Sequence, residues 1–126
     1  MNITQVANQF GLTAATLRYY ERVGLIPPVN RKESGVRDYD QDDINWIEFI
    51  KCMRDAGLTI EALIEYTTLF IEGNHTIEAR KKILIDEREK QIQKRIQIDK
   101  TIQRLAGKIE DYDGKLLERE AELQPK

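Results

Sequence analysis

Residues 3–26 read ITQVANQFGLTAATLRYYERVGLI, and this stretch decides the fold. Two helices that cross at a steep angle need a small residue at the crossing, a glycine in the turn and an apolar residue facing back. Counted from Ile3, Ala7 is the fifth residue, Gly11 the ninth and Leu17 the fifteenth. These offsets favour a helix-turn-helix unit. An ordinary helical hairpin is the alternative that the spacing alone leaves open.

The second helix of this stretch has recognisable ends. Thr13 is a predicted N-cap, because its hydroxyl can accept a hydrogen bond from an otherwise unpaired amide in the first turn. The helix should run to about Arg22 and stop at Gly24, because two prolines follow. Residues 25–40 then combine those prolines with a glycine and an extended-looking stretch, which predicts a short hairpin or wing.

Two further helices are marked by caps and glycines. Asp40 is the predicted cap of a third helix that ends at Gly57, with acidic residues in its first turn where the helix dipole favours them. Thr59 is the predicted cap of a fourth helix, which ends at Gly73. The expected fold class is therefore mainly α.

The segment from residue 76 carries a heptad repeat. Apolar residues recur at alternating steps of four and three, which is typical of a coiled-coil seam: Ile98, Ile102, Leu105, Ile109, Tyr112 and Leu116. We expect a continuous helix of about 45 residues that needs a partner for its seam, and a second copy is the simplest partner. A helical hairpin that turns at Gly107 or Gly114 is the alternative. The predicted domains are residues 1–74 and a dimerisation helix over residues 75–126.

The charge of the chain is distributed unevenly. The 126 residues include 22 acidic and 20 basic side chains, for a net charge of −2. Residues 1–37 hold five basic and two acidic side chains, whereas residues 41–75 hold two basic and seven acidic ones. The near-neutral total therefore conceals an N-terminal part suited to a polyanion.

Several classes of protein are disfavoured by composition. Cys52 is the single cysteine and His75 the single histidine, so we expect neither an internal disulfide nor a metal site of soft ligands. The sequence shows no glycine-rich phosphate loop and no Ser/His/Asp set, which argues against an enzyme and against a cofactor. We also expect a cytoplasmic protein without membrane contact, because no signal peptide and no run approaching ~18 apolar residues is present.

Three short motifs add to this reading. Residues 16–21 read TLRYYE, residues 24–26 read GLI, and residues 37–39 read RDY before an acidic helix start. Together they resemble the MerR family of bacterial transcription regulators, and the resemblance continues through residues 53–58 (MRDAGL) into the long helix. It implies a winged helix-turn-helix domain joined to an antiparallel coiled coil in a homodimer. It also implies binding to promoter DNA with an overlong spacer, which such regulators distort so that RNA polymerase can contact both promoter elements.

The resemblance and the side-chain chemistry together indicate a DNA-binding set. The start of the second helix would enter the major groove, where small hydroxyl and methyl groups can meet base edges. The arginines and tyrosines that follow, and those of the wing, suit the phosphate backbone. The predicted DNA-binding residues are Thr13, Ala14, Ala15, Thr16, Arg18, Tyr19, Arg22, Arg31, Arg37 and Tyr39. Tyr20 is expected in the core instead.

Cys52 is the candidate sensor. On a helical wheel of residues 40–56 it lies at the edge of an apolar face whose centre is formed by Trp46, Phe49, Ile50 and Met53. A free cysteine is most often a small buried hydrophobe, so the residue alone leaves a structural role open. The resemblance, combined with the missing metal ligands, favours the aldehyde- and electrophile-sensing branch of the family. The resemblance implies that the matching thiol in that branch is alkylated by a small electrophile such as formaldehyde, methylglyoxal or a quinone.

Alternative functions compete with this hypothesis of an electrophile-sensing regulator. A coiled-coil adaptor explains residues 76–123 but not the TLRYYE motif, and an excisionase-like architectural DNA binder shares the wing but lacks the long helix. The most serious rival is a MerR-like repressor or activator in which Cys52 is structural and the effector is unknown.

Overall fold

The computed structural model describes residues 1–125. Its elements in chain order are α1 (Ile3–Phe10), α2 (Ala14–Arg22), α3 (Gln41–Asp55), α4 (Ile60–Glu72), a 3₁₀ turn (Asn74–Thr76), α5 (Ile77–Glu110), a widened helical turn (Tyr112–Leu116) and α6 (Leu117–Leu123). The predicted mainly helical class is confirmed. The chain forms two compact units, of which the first spans Met1–Glu87 and the second begins at Arg88.

Polar caps define where the first four helices begin. The side chains of Asn2, Thr13, Asp40 and Thr59 each accept a hydrogen bond from the backbone amide three residues later. Each cap satisfies one of the amides that the first turn of a helix leaves unpaired. The caps predicted at Thr13, Asp40 and Thr59 are therefore confirmed, and α2 ends at Arg22 as expected.

The core of the first unit lies where α1, α2 and α3 meet. Val6 and Ala7 of α1 pack with Leu17 and Tyr20 of α2, and all four side chains are buried. The α3 contribution to this core is a row of buried isoleucines: Ile44, Ile47 and Ile50. The helix-turn-helix arrangement follows from this packing, because Ala7 leaves room for the second helix and Leu17 points back toward the first. The expectation that Tyr20 is a core residue is confirmed.

The segment between α2 and α3 forms the wing. The Lys32 amide donates to the Val36 carbonyl (2.8 Å), and the Gly35 amide donates back to the Lys32 carbonyl (2.8 Å). Gly35 has φ of 86°, a left-handed conformation that side chains other than glycine rarely adopt. Arg31 and Arg37 face each other as an isolated antiparallel bridge. The wing is thus a tight hairpin without extended strands.

The first unit reaches further along the chain than the predicted boundary at residue 74. It includes the first three turns of α5, where Ile83 and Glu87 are buried and Leu84 packs against the core. The start of the long helix therefore belongs to the first compact unit by packing. The apolar spacing in residues 76–97 is too loose to show this from the sequence.

The second unit differs from the predicted continuous helix. α5 contains 34 residues and ends at Glu110. Gly114 has φ of −105° and ψ of −106°, so the backbone leaves the helical conformation there before α6 begins. The expectation of one unbroken helix of about 45 residues is wrong at this point. The hairpin alternative is not formed either, since α6 does not pack against α5 within the described residues.

The apolar seam is exposed in a single chain. Ile98, Ile102, Leu105 and Ile109 lie on the regular part of α5, with more than half of each residue's surface open to solvent. The last two predicted seam residues, Tyr112 and Leu116, lie in the widened turn. The heptad register therefore holds through Ile109 and is interrupted after it.

None of the helices within residues 1–125 combines the length and the hydropathy that a membrane span requires. Over the same residues, no group of three or more His, Cys, Asp or Glu side chains is placed to hold a metal ion.

Candidate nucleic-acid interface

The start of α2 presents small side chains at a capped helix end. The Thr16 amide donates to the Thr13 Oγ1 (3.1 Å), and the two threonine hydroxyls lie 2.9 Å apart. Thr13 and Ala15 are exposed, while Ala14 and Thr16 are half-buried. The N-terminal turn of a helix in this position can approach base edges closely, because no long side chain stands in front of it.

The outer face of α2 carries its basic and aromatic groups. Arg18 and Arg22 are exposed and lie one turn apart on the same face. The Arg22 guanidinium stacks on the Tyr19 ring, with its carbon 5.3 Å from the ring centre. Neither arginine forms a salt bridge with a carboxylate among residues 1–125. Two cations without an internal counter-charge on one helix face form a surface suited to phosphates.

The wing arginines have different environments. Arg31 is exposed, and one of its Nη atoms donates to the Gly35 carbonyl within the hairpin (2.8 Å). Arg37 is turned toward α2, where its Nε donates to the Glu21 Oε1 (2.8 Å), and only 20% of its side chain is exposed. The wing therefore offers Arg31 and the neighbouring Lys32 to solvent, while Arg37 is engaged within the protein.

The expectation that Tyr39 contacts DNA is wrong for this structure. Tyr39 is 3% exposed and belongs to the core. It immediately precedes the Asp40 cap of α3, and Ile44 is the fourth residue of that helix. An apolar residue before the cap often packs on the fourth helical residue, in the arrangement called a hydrophobic staple, and both residues are buried in the same cluster. That spacing is visible in the sequence and is the signal that could have placed Tyr39 correctly.

Burial leaves the Tyr39 hydroxyl in a constrained position. The oxygen has no hydrogen-bond partner among the described residues. Burial raises the pKa of Tyr39 above its ordinary value, although Arg37 nearby acts in the opposite direction. The ring therefore contributes packing, and its phenol stays protonated at neutral pH.

Glu21 contacts the wing, although it is not among the site residues predicted from the sequence. Its Oε1 accepts from Arg37, and its Oε2 accepts from the Val29 backbone amide (3.2 Å). An acidic residue in the last turn of a helix opposes the helix dipole, so its placement there is the sequence signal for a second role.

Comparisons with known proteins agree with this geometry. The profile described as the MerR HTH family regulatory protein matches residues 1–68, which is more than half of the chain. The chain belongs to the MerR family. The proteins of this family to which the chain is similar are DNA-binding transcription regulators and not enzymes.

Individual relatives extend the match beyond the winged domain. The chain is 78% identical over 93 residues to the HTH-type transcriptional regulator AdhR of Bacillus subtilis (strain 168); this match covers 74% of the chain and 66% of AdhR, slightly less than two thirds of that protein. It is 46% identical to a MerR family regulator from Listeria monocytogenes of known crystal structure, with a TM-score of 0.68 over 98% of this chain and 93% of that one. HiNmlR, a MerR family regulator lacking the sensor domain and crystallised on promoter DNA, is 25% identical, with a TM-score of 0.63 and 89% of each chain covered.

Cys52 lies on the solvent side of α3. It is a free and exposed cysteine. The predicted centre of the apolar face consists of Trp46, Phe49, Ile50 and Met53. Ile50 is fully buried, but the other three are only half-buried, and the centre of the buried face is displaced to the row of isoleucines. At about 100° per residue, Cys52 points away from that row of isoleucines. The thiol is therefore further from the core than the sequence predicted and is open to reagents.

The charged neighbours of Cys52 are engaged elsewhere. Lys51 Nζ lies 2.9 Å from a carboxylate oxygen of Asp55. A terminal nitrogen of Arg54 donates to the Leu58 carbonyl (2.6 Å) at the turn into α4. Because Lys51 and Arg54 are bonded to other residues, the property that distinguishes Cys52 is the accessibility of its thiol.

Proposed function

We propose that this chain is an electrophile-responsive promoter regulator in which the Cys52 thiol is the trigger. The observation that carries the proposal is the exposure of this single cysteine on the outer side of α3, in a chain closely similar to AdhR. A cysteine with a purely structural role is expected to be buried among apolar neighbours, and Cys52 is not. Its exposure disfavours the rival in which the cysteine only packs.

The chemistry requires only a thiolate and a carbonyl. The sulfur adds to the carbonyl carbon of formaldehyde or methylglyoxal and forms a C–S bond, while the π pair of the C=O bond moves to oxygen. That oxygen then takes up a proton, which gives a thiohemiacetal. The step is an addition, so no oxidant, metal or other cofactor is needed. It is governed by access to the thiol and by the thiolate fraction.

The position of the thiol suits a signal that keeps the DNA-binding unit folded. The opposite side of α3 carries the buried isoleucines, so an adduct on the outer side changes a surface without opening the core. We propose that this change shifts how two copies hold an overlong promoter spacer, because bending and untwisting DNA costs energy that protein contacts must offset. RNA polymerase then contacts both promoter elements.

The proposed assembly is a cytoplasmic homodimer joined along α5. Exposed isoleucine and leucine side chains at heptad spacing are costly in water, and a second copy of the same seam covers them in an antiparallel coiled coil. A two-fold dimer places two copies of α2 and the wing on two half-sites, which suits a pseudo-palindromic operator.

Transcription from a defined promoter, with purified polymerase, tests the trigger. Wild type and Cys52→Ser are compared with and without formaldehyde or methylglyoxal, and intact mass records the adduct. We expect an aldehyde-dependent rise in transcript for wild type and none for Cys52→Ser, with equal DNA affinity of the two proteins before treatment. Cys52→Ser also controls for adducts on lysines, because it retains all of them. An unchanged response in Cys52→Ser would favour the rival with a structural cysteine.

A further inference from the structure

A single carboxylate joins the wing to the recognition helix. Glu21 lies in the last turn of α2, Val29 immediately precedes the wing hairpin (residues 30–38), and Arg37 lies on its second arm. One oxygen of Glu21 accepts from the Arg37 Nε at 2.8 Å, and the other accepts from the Val29 amide at 3.2 Å. Both sides of the hairpin are thus held by the same side chain.

This ion pair differs from an ordinary surface pair. The side chains of Glu21 and Arg37 are 15% and 20% exposed, so solvent screens the pair less than it screens an exposed one. Burial alone would raise the pKa of Glu21, but the hydrogen bonds from Arg37 and Val29 outweigh it and hold the pKa below its ordinary value. The position in the last helical turn is unfavourable for an acid, so the placement is not explained by helix stability.

Apart from the two Glu21 bonds, the hydrogen bonds of residues 29–38 close the hairpin on itself or join its end to Met1. The Lys32–Val36 backbone bond and the bond from the Asp38 amide to the Asn30 carbonyl (2.7 Å) close the hairpin on itself. Arg31 likewise bonds within the hairpin. Among the described residues, the hydrogen bonds that join α2 to residues 29–38 are those of Glu21.

We propose that Glu21 is a positioning residue for DNA binding: it sets the wing at a fixed angle to the recognition helix, and Arg37 acts through it rather than as an independent phosphate contact. The inference rests on the DNA-binding part of the proposed function and is independent of Cys52. A wing held at a fixed angle reaches the backbone beside the α2 site without an ordering cost at the moment of binding.

A double-mutant cycle on operator affinity tests the inference. Glu21→Gln, Arg37→Gln and the double variant are measured with operator DNA at one fixed salt concentration. Each single change is expected to weaken binding about tenfold, because a charge-assisted bond is lost, and the double variant is expected to be no weaker than either single one. Lys32→Gln is the matched wing control, since Lys32 is exposed and lies on the same hairpin; combined with Glu21→Gln, it should multiply the loss.

Two further measurements separate positioning from general instability. Gln keeps the shape of Glu21 and can still accept from Val29, and the free energy of unfolding of each variant is measured so that binding is compared among fully folded proteins. Hydroxyl-radical footprinting should show loss of protection at the wing flank while protection beneath α2 persists.

The inference is overturned if the double variant shows the product of the two single losses, or if folded Glu21→Gln binds like wild type. A loss of protection spread evenly over the site would also overturn it. Failure of wild type itself to bind promoter DNA would instead reject the proposed function, while loss of the aldehyde response alone leaves this inference untouched.

Discussion

Arg37 and Tyr39 show how the direction of a side chain decides its role. Both lie at the end of the wing, and in an extended segment residues two apart point to the same side. That side faces the protein: Arg37 meets Glu21 and Tyr39 enters the core, while about half of Val36 and of the Asp38 side chain is exposed. Proximity to arginines in sequence therefore gave the wrong role for Tyr39.

Replacing Tyr39 with Phe should leave both stability and DNA affinity essentially unchanged. The buried hydroxyl has no partner, so its removal loses no hydrogen bond and relieves a desolvation cost, with a gain of up to about 1 kcal/mol in the free energy of unfolding. Tyr39→Ala is the contrasting variant and should lose about 3–5 kcal/mol because it empties an aromatic site in the core. Urea denaturation and operator titration measure the two quantities. Weaker operator binding by Tyr39→Phe would return this tyrosine to the DNA interface.

Asp43 should make stability depend on pH in a defined direction. Burial, together with the nearby carboxylates of Asp40 and Asp42, raises the pKa of Asp43 in spite of the bond that it accepts from the Asp40 amide. The folded protein therefore binds this proton more tightly than the unfolded chain does. The resulting stability is present below the unfolded pKa and is lost as pH rises through the folded value.

The variant Asp43→Asn isolates this effect, because Asn keeps an oxygen that can accept from the Asp40 amide. Relative to wild type, the variant should gain stability as pH rises from below the pKa of Asp43 in the unfolded chain through its raised pKa in the folded protein. Urea unfolding at a series of pH values provides the measurement. A stability difference that stays constant over that range would contradict the assignment to Asp43.

At the scale of elements, the helix starts were predictable because their signals are local. A cap needs one side-chain oxygen and one amide three residues away, so the sequence around it carries most of the information. Thr13 and Thr59 show the same geometry, because each Oγ1 accepts a hydrogen bond from an amide nitrogen 3.1 Å away. They differ in what surrounds them, since Thr13 starts the recognition helix and Thr59 starts α4.

These two threonines form a matched pair for separating helix capping from DNA contact. Thr13→Ala and Thr59→Ala should each lower the free energy of unfolding by about 1 kcal/mol, because each exposes one amide of a first turn. Only Thr13→Ala should also weaken operator binding. Thermal denaturation and DNA titration of both variants measure this, and equal loss of DNA affinity in the two would mean that Thr13 acts only as a cap.

The faces and ends of the longer helices were harder to predict because they depend on distant partners. In α3 the aromatic residues suggested the centre of the buried face, yet the β-branched isoleucines occupy it. Trp46 and Phe49 instead meet α4, with Trp46 at 5.8 Å from Phe70 and Phe49 at 5.9 Å from Tyr66 between ring centres. A single helix that contacts two surfaces has no one apolar stripe, so a helical wheel cannot rank them.

The break in the second unit has a similar origin. A heptad repeat predicts helix wherever it continues, and it continues by spacing through Leu116. Gly114 nevertheless departs from helical geometry, which is consistent with the poor helix propensity of glycine on a segment with no core of its own to hold it. Local spacing could predict the seam but not the point where the backbone leaves it.

At the scale of the whole molecule, the charge pattern agrees with the placement of the interface. The basic residues of the first 37 positions lie on α2 and the wing, and the acidic segment over residues 41–75 forms α3 and α4. The chain therefore separates a basic segment from an acidic one within its first compact unit. A net charge near zero conceals this separation.

A charge in the seam should abolish assembly. Ile102→Glu places a carboxylate where two copies are proposed to meet, so we expect a folded monomer by sedimentation and a loss of operator affinity of at least about tenfold, because two half-sites are no longer linked. Lys100→Glu introduces the same side chain about 160° away around α5 and should stay dimeric. A monomeric Lys100→Glu, or a dimeric Ile102→Glu, would show that the seam is placed wrongly.

The exposure of Cys52 also affects how long the modification of the proposed sensor lasts. A thiol open to solvent forms its aldehyde adduct and releases it again, because addition to a carbonyl is reversible. The fraction of Cys52 that carries the adduct then follows the current concentration of free aldehyde. A quinone that bonds to the sulfur through carbon leaves a far more durable adduct. The modified fraction of the protein then accumulates, and it falls only as new protein is synthesised. The same sulfur atom thus gives a reversible response to an aldehyde and a lasting response to a quinone.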